Sequence, residues 1–85
     1  MKIKGILVNS VSKFILINVS KSKYMIIYFT DSEISENVIN YIFKNWQLVN
    51  NLNIKIDYDI TLINKKNNKS YIIKENLIKR IELHF

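Results

Sequence analysis

A single segment of helical period, residues 30–51, interrupts a chain otherwise written in strand period. It reads TDSEISENVINYIFKNWQLVNN. Thr30 followed three residues later by Glu33 has the spacing of a capping box. Asp31, Glu33 and Glu36 bring negative charge to the positive end of the helix dipole, and Lys44 sits toward the other end. Asn50 and Asn51 suit a left-handed C-terminal cap. At helical spacing Glu33, Glu36, Asn37, Asn40, Lys44 and Gln47 fill a polar arc of roughly 100°. Ile34, Val38, Tyr41, Ile42 and Val49 form an apolar stripe, and Ile39, Phe43 and Trp46 widen it to about twice what one sheet covers. The excess calls for a second neighbour.

Strand-like runs flank this helix. Residues 2–8, 13–19 and 24–29 are rich in Ile, Val, Phe and Tyr, and short polar links, NSVS and SKS, separate them. FILINV and YMIIYF are apolar at every other position and between, so they are expected at the centre of a sheet covered on both faces. After the helix, residues 53–63 alternate without a break. NKKNNK then makes a turn, 70–74 a strand, EN a break, and 77–85 a last strand. The expected fold is α+β in the order β-β-β-α-β-β-β. It is an antiparallel sheet or small open barrel with one central helix, and residues 1–85 form a single domain.

Size limits what such a fold can hold. At 85 residues, about 60–65% of the unfolded surface becomes buried. Cysteine is absent, which removes disulfides, thiolate nucleophiles and the usual structural zinc sites. Gly5 is the only glycine, so no glycine-rich phosphate loop exists. The longest apolar run, YMIIYF, falls far short of the ~20 residues that span a bilayer. MKIKGILVNS lacks the cleavage site of a leader. A soluble, cytoplasmic protein is expected, with no membrane partner and no cofactor. Ile, Asn and Lys dominate, as in chains encoded by A+T-rich DNA, including small phage and mobile-element products.

Two groups of residues invite a chemical reading. Asp57 and Asp59 share one strand face, as do Glu82 and His84; if the two strands paired, the four would form an oxygen-rich cation site of hydrolase type. The Glu-x-Lys pattern of many nucleases is absent, since no lysine lies two residues after Glu82. Lys55 and Arg80 are ready cross-strand partners for these acids, so the simpler reading is the wet side of a sheet, with no metal and no catalytic residue.

Charge is uneven along a chain of net charge +6. Residues 1–30 hold five lysines and no acid, and residues 31–64 hold five acids and two lysines. The turns carrying Lys21 and Lys23, and Lys65, Lys66 and Lys69, are basic, with Tyr24 and Tyr71 behind them. Such turns suit a nucleic-acid backbone. The leading expectation is a non-catalytic macromolecule-binding protein. It would modulate or inhibit host or defence machinery by occupying a protein surface through Ile39, Phe43 and Trp46, as a homodimer. A nucleic-acid-binding accessory protein is the alternative, and a metal-dependent hydrolase the third.

Overall fold

The computed structural model describes residues 2–46 and 52–85. Four strands precede the helix: β1 (Lys2–Ile3), β2 (Gly5–Asn9), β3 (Phe14–Asn18) and β4 (Tyr24–Phe29). Helix α1 (Glu33–Asn45) follows, then β5 (Leu52–Ile56), β6 (Ile60–Asn64), β7 (Lys69–Ile73), a 3-10 turn (Glu75–Leu77) and β8 (Ile78–His84). Every pairing among the described residues is antiparallel. The strands form two sheets, ordered β1-β5-β6-β7 and β2-β3-β4-β8. The α+β class with one helix among antiparallel strands holds. In place of one curled sheet there are two, because two expected strands each divide.

The first division falls at Lys4. Ile3 pairs with Leu52 in one sheet, while Gly5 pairs with Asn18 in the other. The chain therefore changes sheet within two residues, and the Lys4 N–H donates to the Asn18 carbonyl at 2.6 Å. The second division is hidden by parity. Asp57, Tyr58 and Asp59 form a turn, and Ile56 pairs directly with Ile60. Paired residues point to the same face, so alternation continues across the hairpin as though the strand were unbroken. No glycine or proline marks the turn. Asp59 holds it: its carboxylate accepts the Glu75 N–H at 2.8 Å, and Lys74 Nζ lies 3.5 Å away.

Helix α1 starts later than the capping-box spacing suggests. Ser32 is the N-cap, in extended conformation, and its Oγ accepts the Ser35 N–H at 3.1 Å. Thr30 contributes otherwise, with Oγ1 2.7 Å from Ser35 Oγ. Ser35 is buried, and these hydroxyls satisfy it. The expected cap at Asn50 and Asn51 lies outside the described residues, as do Gln47 and Val49.

The core is one cluster. The helix contributes Val38, Ile39, Ile42 and Trp46; β3 and β4 contribute Ile15, Ile17, Met25, Ile27 and Phe29; the other sheet contributes Ile3, Leu52, Ile54, Ile60, Leu62 and Ile73. The buried stripe of α1 thus runs through Ser35, Val38, Ile39, Ile42 and Trp46. Ile34, Tyr41 and Phe43 fall outside it and are exposed. Two sheets, rather than one, take up most of the helix's apolar width.

Candidate functional site

The acidic residues and histidine do not converge. Asp57 and Asp59 lie in the β5–β6 turn of one sheet, and Glu82 and His84 lie on β8 of the other. Among the described residues no three His, Cys, Asp or Glu side chains are grouped to hold a metal ion. Asp59 is engaged by backbone and lysine as described above. Glu82 accepts from Arg80 Nε at 3.1 Å and lies 3.4 Å from His84 Nε2. The Arg80 hydrogen bond, followed by lesser contributions from His84 and Tyr28, holds the Glu82 carboxyl below its ordinary value, with desolvation opposing. These are the contacts of an ion-paired sheet surface.

The helix residues expected to meet a partner divide. Ile39 is wholly enclosed by its own chain and Trp46 nearly so, because both sheets pack on that side of α1. Neither is available to another molecule. Phe43 alone of the three is exposed. On the same helix Ile34 and Tyr41 are also exposed, so what remains open is a narrower strip than the expected trio. Trp46 brings its indole N–H into the core without a hydrogen-bond partner among the described residues.

The larger surface lies elsewhere, on the outer face of β2-β3-β4-β8. Register aligns its side chains in three rows: Asn9, Phe14, Tyr28, Arg80; Leu7, Leu16, Ile26, Glu82; Gly5, Asn18, Tyr24, His84. None of these residues is buried. The same strands' inner residues, Ile15, Ile17, Met25 and Ile27, have no exposure at all. Coverage on both faces, expected from the apolar runs of β3 and β4, is therefore corrected: α1 and the second sheet cover one face, and the other meets solvent. Phe14 and Tyr28 rings lie 5.7 Å apart, the Arg80 guanidinium sits 3.9 Å over Tyr28, and Tyr24 stacks on His84 at 4.4 Å with 9° between planes. The result is an apolar and aromatic plate with an ionic border on β8. The apolar character of both faces was the available signal. The sequence alone left open whether the second face had a cover.

Register also gathers the basic turns at one end. Asn18 and Tyr24 bound the turn carrying Lys21 and Lys23; Asn64 and Lys69 bound the turn carrying Lys65 and Lys66. Asn18 neighbours Gly5, and Asn64 neighbours Leu52, which pairs with Ile3. Lys2 and Lys4 thus lie between the two turns. The end of α1 meets the β6–β7 turn around a cavity of about 250 Å³ lined by Tyr41, Asn45, Trp46, Asn64, Asn67, Lys69 and Ser70. A shallow groove of about 420 Å³ runs between Lys4, Gly5, Asn18, Ser20 and Lys21. Acidic residues cluster at the opposite end. Asp31, Glu33 and Glu36 surround the start of α1, where Lys13 approaches Asp31 at 3.6 Å; Asp57, Asp59 and Glu75 surround the β5–β6 turn. Glu82 lies between, opposite Ile26.

Comparison with protein-family models, with curated proteins and with solved structures finds no match to this chain. No helix among the described residues is long and apolar enough to cross a membrane. The site must be read from its own chemistry. The plate offers rigid apolar area, stacked rings and a few fixed charges; the lysine end offers positive potential. Both suit association.

Proposed function

We propose that this protein acts without catalysis, by docking the outer face of β2-β3-β4-β8 onto another protein and so modulating or inhibiting it. The observation that carries this reading is the uncovered row Leu7, Leu16 and Ile26, flanked by Phe14, Tyr28 and Tyr24. Contiguous apolar faces of this kind are uncommon on free-standing domains. Tyrosine and arginine, here Tyr24, Tyr28 and Arg80, are the residues that most often carry binding energy in interfaces. They sit on paired strands, so little ordering cost falls due on docking. Phe43 on the helix becomes incidental to this surface, and the homodimer expected through Ile39 and Trp46 is withdrawn from that side.

Site-specific photo-crosslinking tests the reading. A crosslinking residue in place of Leu16 should trap a discrete protein in cells; the same residue at Thr61, on the outer face of the other sheet, should not. Equal adduct patterns at the two positions would remove the plate from consideration.

A second reading, nucleic-acid binding, is favoured by the lysine end. Lysines from three separate segments and the close of α1 meet there, with no Asp or Glu side chain among the described residues of that end, which would attract a phosphate backbone. Neutralising Lys65, Lys66 and Lys69 together should lower filter retention of DNA or RNA and flatten its salt dependence. No retention by the unaltered protein at low salt would dispose of this reading and leave the first untouched.

A further inference from the structure

We propose that two copies of this chain pair through β8, joining their β2-β3-β4-β8 sheets across a two-fold axis centred on Ile81. Strand β8 is the longest strand among the described residues and lies at the end of its sheet, so one edge of its backbone is unpaired among those residues. An open edge of this length is a template for another strand. Its inner side chains are also short of neighbours. Ile81 and Leu83 stay 37% and 59% exposed, while their cross-strand partners Ile27 and Met25 are at 0%. The core therefore stops one strand short, and a second β8 would supply the missing strand.

Charge complementarity favours a second copy as the occupant and an axis on Ile81. With the axis on Ile81, each Arg80 stands opposite the partner subunit's Glu82, on the outer face. Both ion pairs form at once, and the two Ile81 side chains meet on the inner face. Centring on Arg80 opposes arginine with arginine. Centring on Glu82 opposes glutamate with glutamate and sets Arg80 against the partner subunit's His84. An axis between residues would turn one copy's inner face outward. The two five-residue edge strands cannot self-complement this way: β2 has no charged residue and β7 has only lysine. The bulge at Tyr28/Phe29 leaves Lys79 without a cross-strand partner, which limits the ladder to the segment after it. The contact is accordingly small and the dimer concentration-dependent. The axis is perpendicular to the sheet, so the two outer faces lie on the same side and form one eight-stranded plate. The pairing stands whatever that plate binds.

Sedimentation equilibrium with charge exchange provides the test. The unaltered protein should show a concentration-dependent dimer. Arg80→Glu alone and Glu82→Arg alone should each sediment as monomers, because like charges then face each other across the axis. Mixing these two variants should restore a one-to-one dimer, and the double exchange R80E/E82R should dimerise as the unaltered chain does. Circular dichroism melts confirm folding; should one single variant fail to fold, the double exchange and Ile81→Lys, expected dimeric and monomeric respectively, decide the matter. A monomer at every soluble concentration of the unaltered protein, or a dimer that survives Arg80→Glu, overturns the proposal.

Discussion

The two sheets treat their outer faces differently. On the β1-β5-β6-β7 sheet the outward positions are Asn53, Ile63 and Ser70 in one row and Lys55, Thr61 and Ile72 in the next, so polar residues break up the aliphatic ones. On β2-β3-β4-β8 the outward positions of the two central strands are Phe14, Leu16, Tyr24, Ile26 and Tyr28, with Asn18 at the end. Both sheets contribute apolar inner residues to the same core. Folding therefore explains the inner faces of both and the outer face of neither. An antiparallel sheet with one wet face can dispense with outward hydrophobes, and the first sheet largely does. The second carries them, and the proposed docking role would give them a use.

The sharpest way to break this comparison is to weigh the two faces of one strand. Ile27 and Ile26 are adjacent in β4; the first is at 0% exposure and the second faces out. Ile27→Ala should cost about 2–5 kcal/mol, because the cavity it leaves is enclosed by both sheets and the helix. Ile26→Ala should cost less than about 1.5 kcal/mol, since most of what it loses is cross-strand contact. Urea denaturation of the two variants measures both. Equal losses would mean that the plate is needed for stability and would take away its separate role.

A smaller effect tests whether polar residues of the first sheet are structural. Asp59 accepts the Glu75 N–H and so ties the β5–β6 turn to the 3-10 turn before β8. Asp59→Ala should destabilise by about 1 kcal/mol, the usual net worth of a partly exposed hydrogen bond. Asp57, whose own N–H donates to the Asp59 carbonyl at 3.1 Å, contributes through backbone, so Asp57→Ala should change the denaturation midpoint much less. If Asp57→Ala proved the costlier, the acids of this turn would need a different account.

These contrasts also show what a reader of the sequence has to work with. Helix, strands and their antiparallel pairing follow from period and short polar links. Ser32 displaced Thr30 as cap because both hydroxyls are close enough to reach Ser35, and spacing does not rank them. The Asp57–Asp59 turn was invisible because a three-residue hairpin preserves alternation, and aspartates stand where glycine would have signalled it. The plate was half legible: FILIN and YMIIYF announce two apolar faces, but only three-dimensional packing tells which face the single helix reaches. The helix surplus calls for a second neighbour, which period and composition leave as either the same chain or a partner. That neighbour is the second sheet of the same chain for Ile39 and Trp46, which no local pattern could reveal.

The smallest expected effect concerns the ionic border of the plate. Arg80 holds the Glu82 carboxyl below its ordinary value of 4.5. A carboxyl depressed in the folded state is bound by more protons in the unfolded chain at the same pH. Its contribution is therefore complete above the unfolded value and disappears as pH falls through the folded one. Stability should decline on acidification below the ordinary carboxyl range, and Glu82→Gln should remove a small part of that decline while leaving the neutral-pH fold intact. Both side chains are substantially open to solvent, so raised salt should shrink the effect. If β8 pairs with a second copy, the same protonation also strips the trans ion pairs, and dimer dissociation should track the acid limb. An acid limb that is identical in Glu82→Gln and in the unaltered protein would show that the Arg80–Glu82 contact adds nothing to the fold, and would leave any contribution of this border to association alone.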